Sequence, residues 1–213
     1  MAFWTPSTES CAGRMKIKIS TASPDALNRD TLILGFFSDE RPPRGYCGLV
    51  DWRLNGMIST EIARGRVSGD FLEKLLYAFP KRIRISRILL FGLGALSELT
   101  YDRLYNAGYE MARTVSGIRA DDLALPIPAA DRGLKLSGMA EALITGLFDG
   151  FSCKPEELPF LRLEIPAKAD HADEIRAGLD LFRQRVGAAG CEILPLEDKD
   201  DGQGSVRAGI MPF

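Results

Sequence analysis

A single histidine, His171, occurs among the 213 residues, and this limits the chemistry open to the chain. A Ser-His-Asp or Cys-His nucleophilic system would have to be built on it, and no serine stands in a Gly-x-Ser-x-Gly elbow. A zinc site made of several histidines is excluded. His171 stands beside Asp170 and close to Asp173 at the start of a helical pattern, where it reads as a surface or capping residue. Asp121 and Asp122 are an adjacent carboxylate pair just before an expected strand. Neighbours on an extended segment point to opposite faces, so the pair suits a solvated loop better than a shared metal. Cys11, Cys47, Cys153 and Cys191 are scattered without a Cys-x-x-Cys pairing, the usage of reduced thiols in a cytoplasmic protein. We expect no catalytic residue, no metal site and no cofactor.

One string has the context of a ligand site. Gly92-x-Gly94-x-x-Ser97 follows an apolar run and precedes a helical pattern, the arrangement that places phosphate at a helix N-terminus. Ser97 stands where a dinucleotide fingerprint has its third glycine. Gly92, Gly94 and Ser97 are therefore candidate ligand-binding residues. The competing reading is that the glycines let the backbone and the helix pack closely.

The elements that would position these residues alternate between short apolar runs and helical periods. Residues 15–20 alternate as a half-buried strand, and 31–37 form a continuous apolar run. Residues 25–29 read as a turn, and 50–62 as a short amphipathic piece. The spacing of Phe71, Leu72, Leu75, Leu76 and Phe79 fits one helical face, although 75–77 fits a strand as well. Residues 87–91 are a buried-strand run. Thr100 is the expected N-cap of a helix reaching Gly117, with Asp102 in its first turn. An apolar run at 123–127 completes a strand–helix–strand crossover. Helices follow over 134–148 and from Ala172 to Val186. Residues 160–165 alternate Leu161, Leu163 and Ile165 with Arg162 and Glu164, which predicts one exposed face and a place near the sheet edge. A last strand covers 191–196. The sum is one α/β domain with a mixed, mostly parallel sheet.

Composition agrees with an ordinary globular chain. Hydrophobic residues make up 46% and charged residues 26%, near the averages for such proteins. No apolar stretch approaches the length that spans a bilayer, and the start of the chain lacks the pattern of a secretory signal. We expect a cytoplasmic protein without membrane contact. Residues 1–14 read as an N-terminal extension, with Met15 as an alternative translation start, and 198–213 as a polar tail. With 27 basic and 29 acidic residues, the net charge is −2, and a nucleic-acid partner is not expected. The densest basic stretch, Lys81-Arg82-Ile83-Arg84-Ile85-Ser86-Arg87, reads as the solvated approach to a buried strand. A phosphate-binding patch is its alternative, and the fold must decide whether those charges share a face.

The order of these landmarks resembles a known family. Asp30-Thr31-Leu32-Ile33-Leu34-Gly35, the strand and turn Arg87-Ile88-Leu89-Leu90-Phe91-Gly92-Leu93-Gly94, and the helical run Met139-Ala140-Glu141-Ala142-Leu143-Ile144-Thr145-Gly146-Leu147-Phe148 resemble the N-terminal domain of the leucyl aminopeptidase family. The likeness extends over residues 15–197. It implies a single three-layer fold similar to macro domains, with helices on both sides of the sheet. In that family catalysis belongs to a separate C-terminal domain holding two divalent metals, marked by Asn-Thr-Asp-Ala-Glu-Gly-Arg-Leu. No such run occurs here, and Asp170-His171-Ala172-Asp173-Glu174 shares its letters without its order. The resemblance therefore implies a non-catalytic interaction or regulatory module, acting by self-association or on a separate protein. Its alternative is a macro-domain-like binder of ADP-ribose or a related nucleotide, in loops 35–44, 92–97 and 128–133. Asp39 and Glu40 in the first loop would repel a diphosphate.

Overall fold

The computed structural model describes residues 15–24, 26–128, 133–152, 161–187 and 191–194. Their strands are β1 (Met15–Ser20), β2 (Thr31–Phe36), β3 (Lys74–Ala78), β4 (Arg87–Gly92), β5 (Asp122–Ala124), β6 (Arg162–Pro166) and β7 (Cys191–Ile193). The helices are α1 (Gly45–Arg53), α2 (Met57–Ala63), α3 (Tyr101–Gly117), α4 (Leu136–Ser152) and α5 (Ala169–Val186). The described strands form one sheet in the order β3-β4-β2-β5-β6-β1-β7. Every pairing is parallel except β3 with β4. This is the expected mixed α/β fold. No described helix is long and apolar enough to cross a membrane.

Two cores lie on opposite faces of the sheet. Alternate residues of each strand point to opposite sides, so Ile17, Ile33, Leu89, Phe91, Leu123 and Leu163 meet α3, α4 and α5 on one face. Leu32, Leu34, Ile88, Leu90 and Ala124 meet α1 and α2 on the other. The crossover predicted from 87–127 forms through α3, with β2 inserted between its two strands. Thr100 caps α3, its side chain accepting from the Arg103 N–H at 3.2 Å. Helices α3 and α4 approach closely because glycine stands at each crossing. A Cβ on Gly146 would lie 1.9 Å from the Tyr105 carbonyl oxygen, and one on Gly108 2.1 Å from that of Leu143.

Three expectations change. The helical reading of 69–79 gives way to its alternative: Lys74–Ala78 is an edge strand, antiparallel to β4. Its five residues satisfy both periods, and β4 offers an unpaired edge that a strand can cover. The single amphipathic piece at 50–62 is two helices, broken where Asn55 and Gly56 adopt φ of 56° and 72°. Strand β6 is interior, between β5 and β1, not near the edge. Its alternation misleads because Glu164 is buried, with 6% of its surface exposed. Of the turn expected at 25–29, Asp25 lies outside the described residues; the Ala26 N–H donates to the Ser23 carbonyl. The segments 1–14 and 198–213 also lie outside them.

Candidate functional site

Gly92 and Gly94 lie at the C-terminal end of β4, where three loops meet. The Gly92 N–H donates to the Glu73 carbonyl, Leu93 to Phe36 and Gly94 to Gly69, each at 2.9 Å. The Ser38 N–H donates to the Gly94 carbonyl at the same distance. These donors are spent on protein carbonyls. Gly92 accepts no side chain, since its Cβ would lie 2.0 Å from the Asp70 carbonyl oxygen. Gly94 has φ of 77°, and its Cβ would meet Arg103 Nη2 at 2.5 Å. The Arg103 guanidinium lies 4.2 Å from the Phe71 ring centroid and pairs with Glu98 at 3.0 Å. Ser97 is exposed in the 3-10 turn Leu96–Glu98. Asp39 faces that turn and accepts from the Leu96 N–H at 2.9 Å. The structure thus buries the two glycines together and leaves Ser97 outside them.

Between the ends of β2 and β5 lies the crevice where open α/β sheets commonly hold ligands. Its described lining includes Gly35, Phe37, Glu40, Arg44, Cys47 and Pro128, around a space of about 20 Å³. That is room for roughly one water. Burial pushes the Glu40 carboxyl above its ordinary value, with Arg44 opposing and Asp39 adding to the rise. Burial likewise pushes the Cys47 thiol up to about 12, so it is held as a neutral thiol.

A polar cluster missed in the sequence lies on the second face of the sheet, opposite the side to which Leu123 and Leu163 point. Arg29 places Nε 2.6 Å from Glu164 Oε2 and Nη1 3.0 Å from Asp122 Oδ1. Ser20 donates to the other Glu164 oxygen at 2.6 Å. Asp122 thus leaves the loop pair with Asp121 and becomes an internal ion-pair partner. A charged residue inside an otherwise apolar strand was the available signal; the identity of its partner, far away in sequence, was not. The arrangement neutralises buried charge and spends the Ser20 hydroxyl on Glu164. Among the described residues, no group of three or more His, Cys, Asp or Glu side chains could hold a metal ion. His171 is half-buried at the start of α5, with Nε2 4.0 Å from Asp170.

Strand β3 forms one edge of the described sheet. The Gly92 N–H bonds to the Glu73 carbonyl and the Phe79 N–H to that of Ser86. By the two-residue period, Leu75 and Tyr77 turn their backbone groups toward β4, and Lys74, Leu76 and Ala78 turn theirs outward. Leu76 is 42% exposed beside them. Elsewhere, α3, α4 and α5 frame an external groove of about 520 Å³. Its walls are tied by Arg185 to Glu141 at 2.8 Å and by the Tyr101 hydroxyl, which accepts from the Lys135 N–H at 3.0 Å.

Residues 33–151 match the family described as "Cytosol aminopeptidase family, N-terminal domain". A probable cytosol aminopeptidase of Pseudomonas syringae pv. tomato is 26% identical over 187 residues, 79% of this chain and 38% of the relative. The chain therefore spans well under half the length of that relative. A solved tomato leucine aminopeptidase superposes with a TM-score of 0.58 at 18% identity, covering 84% of this chain and 38% of the other. A macrodomain of Oceanobacillus iheyensis solved with ADP superposes with a TM-score of 0.58 at 8% identity, covering 78% and 90%. At these identities the structural likenesses establish the fold.

Proposed function

The chain belongs to the cytosol aminopeptidase family, of which it carries the N-terminal domain, and we propose that it serves as a non-catalytic interaction module that self-associates through β3. The observation that carries this reading is the outer edge of that strand. Outward backbone donors and acceptors beside an exposed leucine form a template for another strand, which monomers usually protect. Antiparallel pairing of two copies about Leu76 would set Lys74 opposite Ala78 of the second copy, so no like charges would oppose each other. Such a contact is self-complementary, as a two-fold dimer requires. The cytoplasm is the compartment that the relatives' names support.

The polar cluster around Arg29 supports the non-catalytic reading, because its charges are consumed by one another. The family's metal-ligand run does not occur in these residues. A second reading, binding of ADP-ribose or a related nucleotide, draws on the fold shared with the ADP-bound macrodomain. The small described crevice and the acidic Asp39 and Glu40 weigh against it.

Two assays separate the classes. Incubation with leucine para-nitroanilide and manganese is expected to release no nitroaniline above the rate of a buffer control. Calorimetric titration with ADP-ribose is expected to give no heat. Metal-dependent hydrolysis would overturn the non-catalytic reading, and saturable binding with one site per chain would establish the nucleotide reading in its place.

A further inference from the structure

The hairpin joining β3 to β4 carries the densest basic run in the chain, and the fold determines how it is presented. Ile83 and Ile85 are buried with Leu54, Ile58 and Val67 in the core under α1 and α2. The intervening Arg82 and Arg84 are exposed, as is Lys81. None of these three cations forms a salt bridge with a described carboxylate. Arg82 donates instead to Asn55 Oδ1 at 2.6 Å, which fastens the hairpin to the C-terminal end of α1. That end carries Trp52, 69% exposed with the Arg53 guanidinium 4.6 Å over its ring, while Phe79 at the mouth of the hairpin is 82% exposed. Just past α2, Arg64 and Arg66 share the single carboxylate of Glu61, leaving a further positive surplus beside β3. Arg87, deeper in the strand, is neutralised by Asp30.

Cations lacking acidic partners and large exposed rings are the two components of a surface for unpaired nucleotides. Phosphates take the cations, and bases stack on flat apolar faces. We propose that this end of the molecule binds single-stranded nucleic acid, with Lys81, Arg82 and Arg84 holding phosphates and Trp52 and Phe79 receiving bases. An acidic protein segment would satisfy the cations and leave the rings without a role. A duplex would offer its phosphates with its base faces already stacked. The net charge of −2 argues against a nucleic-acid partner only if charge is spread evenly, and here the alternation of buried isoleucines with outward arginines concentrates it. The patch lies at the end of β3, away from its outer edge, so the proposal does not depend on self-association.

Anisotropy of a fluorescein-labelled oligothymidylate, titrated with the intact protein at low salt, tests the proposal. Saturable binding that weakens as salt rises is expected. Trp52→Leu and Phe79→Leu, at exposed positions, are each expected to weaken it about tenfold, equivalent to ~1.4 kcal/mol for a lost stack. Lys81→Ser combined with Arg84→Ser should weaken binding and flatten its salt dependence, with melting temperatures unchanged in all variants. Absence of binding would overturn the proposal. So would affinity indifferent to both ring substitutions, equal affinity for a duplex, or equal displacement by polyglutamate, each of which describes a generic anion surface.

Discussion

Arg29 holds Glu164 from a loop outside the strands: its Nε lies 2.6 Å from the buried carboxylate, and its Nη1 grips Asp122 at 3.0 Å. The bond ties the segment preceding β2 to β5 and β6. Removing the cation leaves a buried carboxylate supported by the Ser20 hydroxyl alone. Arg29→Met is expected to cost about 2–3 kcal/mol in urea unfolding, the range for breaking an ion pair reduced for its partial exposure. Adding Glu164→Gln should recover part of that loss, because the uncompensated charge goes with it.

Glycines at the close approaches should respond in proportion to the space around them. Gly146→Ala would drive Cβ into the Tyr105 carbonyl and force α3 and α4 apart. A net loss of about 2 kcal/mol is expected, the overpacking cost exceeding the gain of about 1 kcal/mol in helix propensity. Gly117→Ala, with nothing within 4 Å of its Cβ, should be neutral or stabilising by up to about 1 kcal/mol. Gly94→Val meets both a positive φ and Arg103, and should lower the melting temperature clearly.

Acid sensitivity should trace in part to Glu61. Burial raises its carboxyl, but the Tyr77 hydroxyl, Arg66 and Arg64 outweigh that and hold it below its ordinary 4.5. A depressed carboxyl stabilises the fold above its unfolded value and loses that contribution as pH falls through its folded value. Tyr77→Phe removes part of the depression. Its melting temperature should therefore fall below that of the parent near neutral pH, and the difference should shrink below about pH 4. A difference that grew on acidification would contradict the assignment.

Thiol reactivity should follow burial. Cys47 and Cys191 are buried, and burial pushes both thiols up to about 12. Alkylation with iodoacetamide, mapped by mass spectrometry, should leave both unmodified in the native protein at mildly alkaline pH. Both should react once the chain is unfolded. Rapid native labelling of Cys47 would mean that the crevice between β2 and β5 opens.

How much of this was legible in the sequence depended on whether the deciding contacts are local. The run Arg87-Ile88-Leu89-Leu90-Phe91 and the cap at Thr100 declare a strand and a helix through neighbouring residues, and both form. Strand β3 did not declare itself, because Lys74-Leu75-Leu76-Tyr77-Ala78 fits either period and its pairing with β4 decides the matter. Strand β6 was misplaced toward the edge because Glu164 looks solvent-facing until Arg29, distant in sequence, is brought onto it. At the candidate site, the turn after β4 was correctly located. That its amide donors are taken by Phe36, Gly69 and Glu73 depends on three loops meeting there, which residue spacing does not encode.

Sedimentation velocity across a wide concentration range tests the central claim most directly. The parent chain is expected to shift from monomer toward dimer as concentration rises. Leu76→Lys should remain monomeric with an unchanged melting temperature, since Leu76 turns its backbone groups away from β4 and its side chain is exposed. A parent chain that stays monomeric throughout, or a dimer indifferent to Leu76→Lys, would contradict self-association through β3.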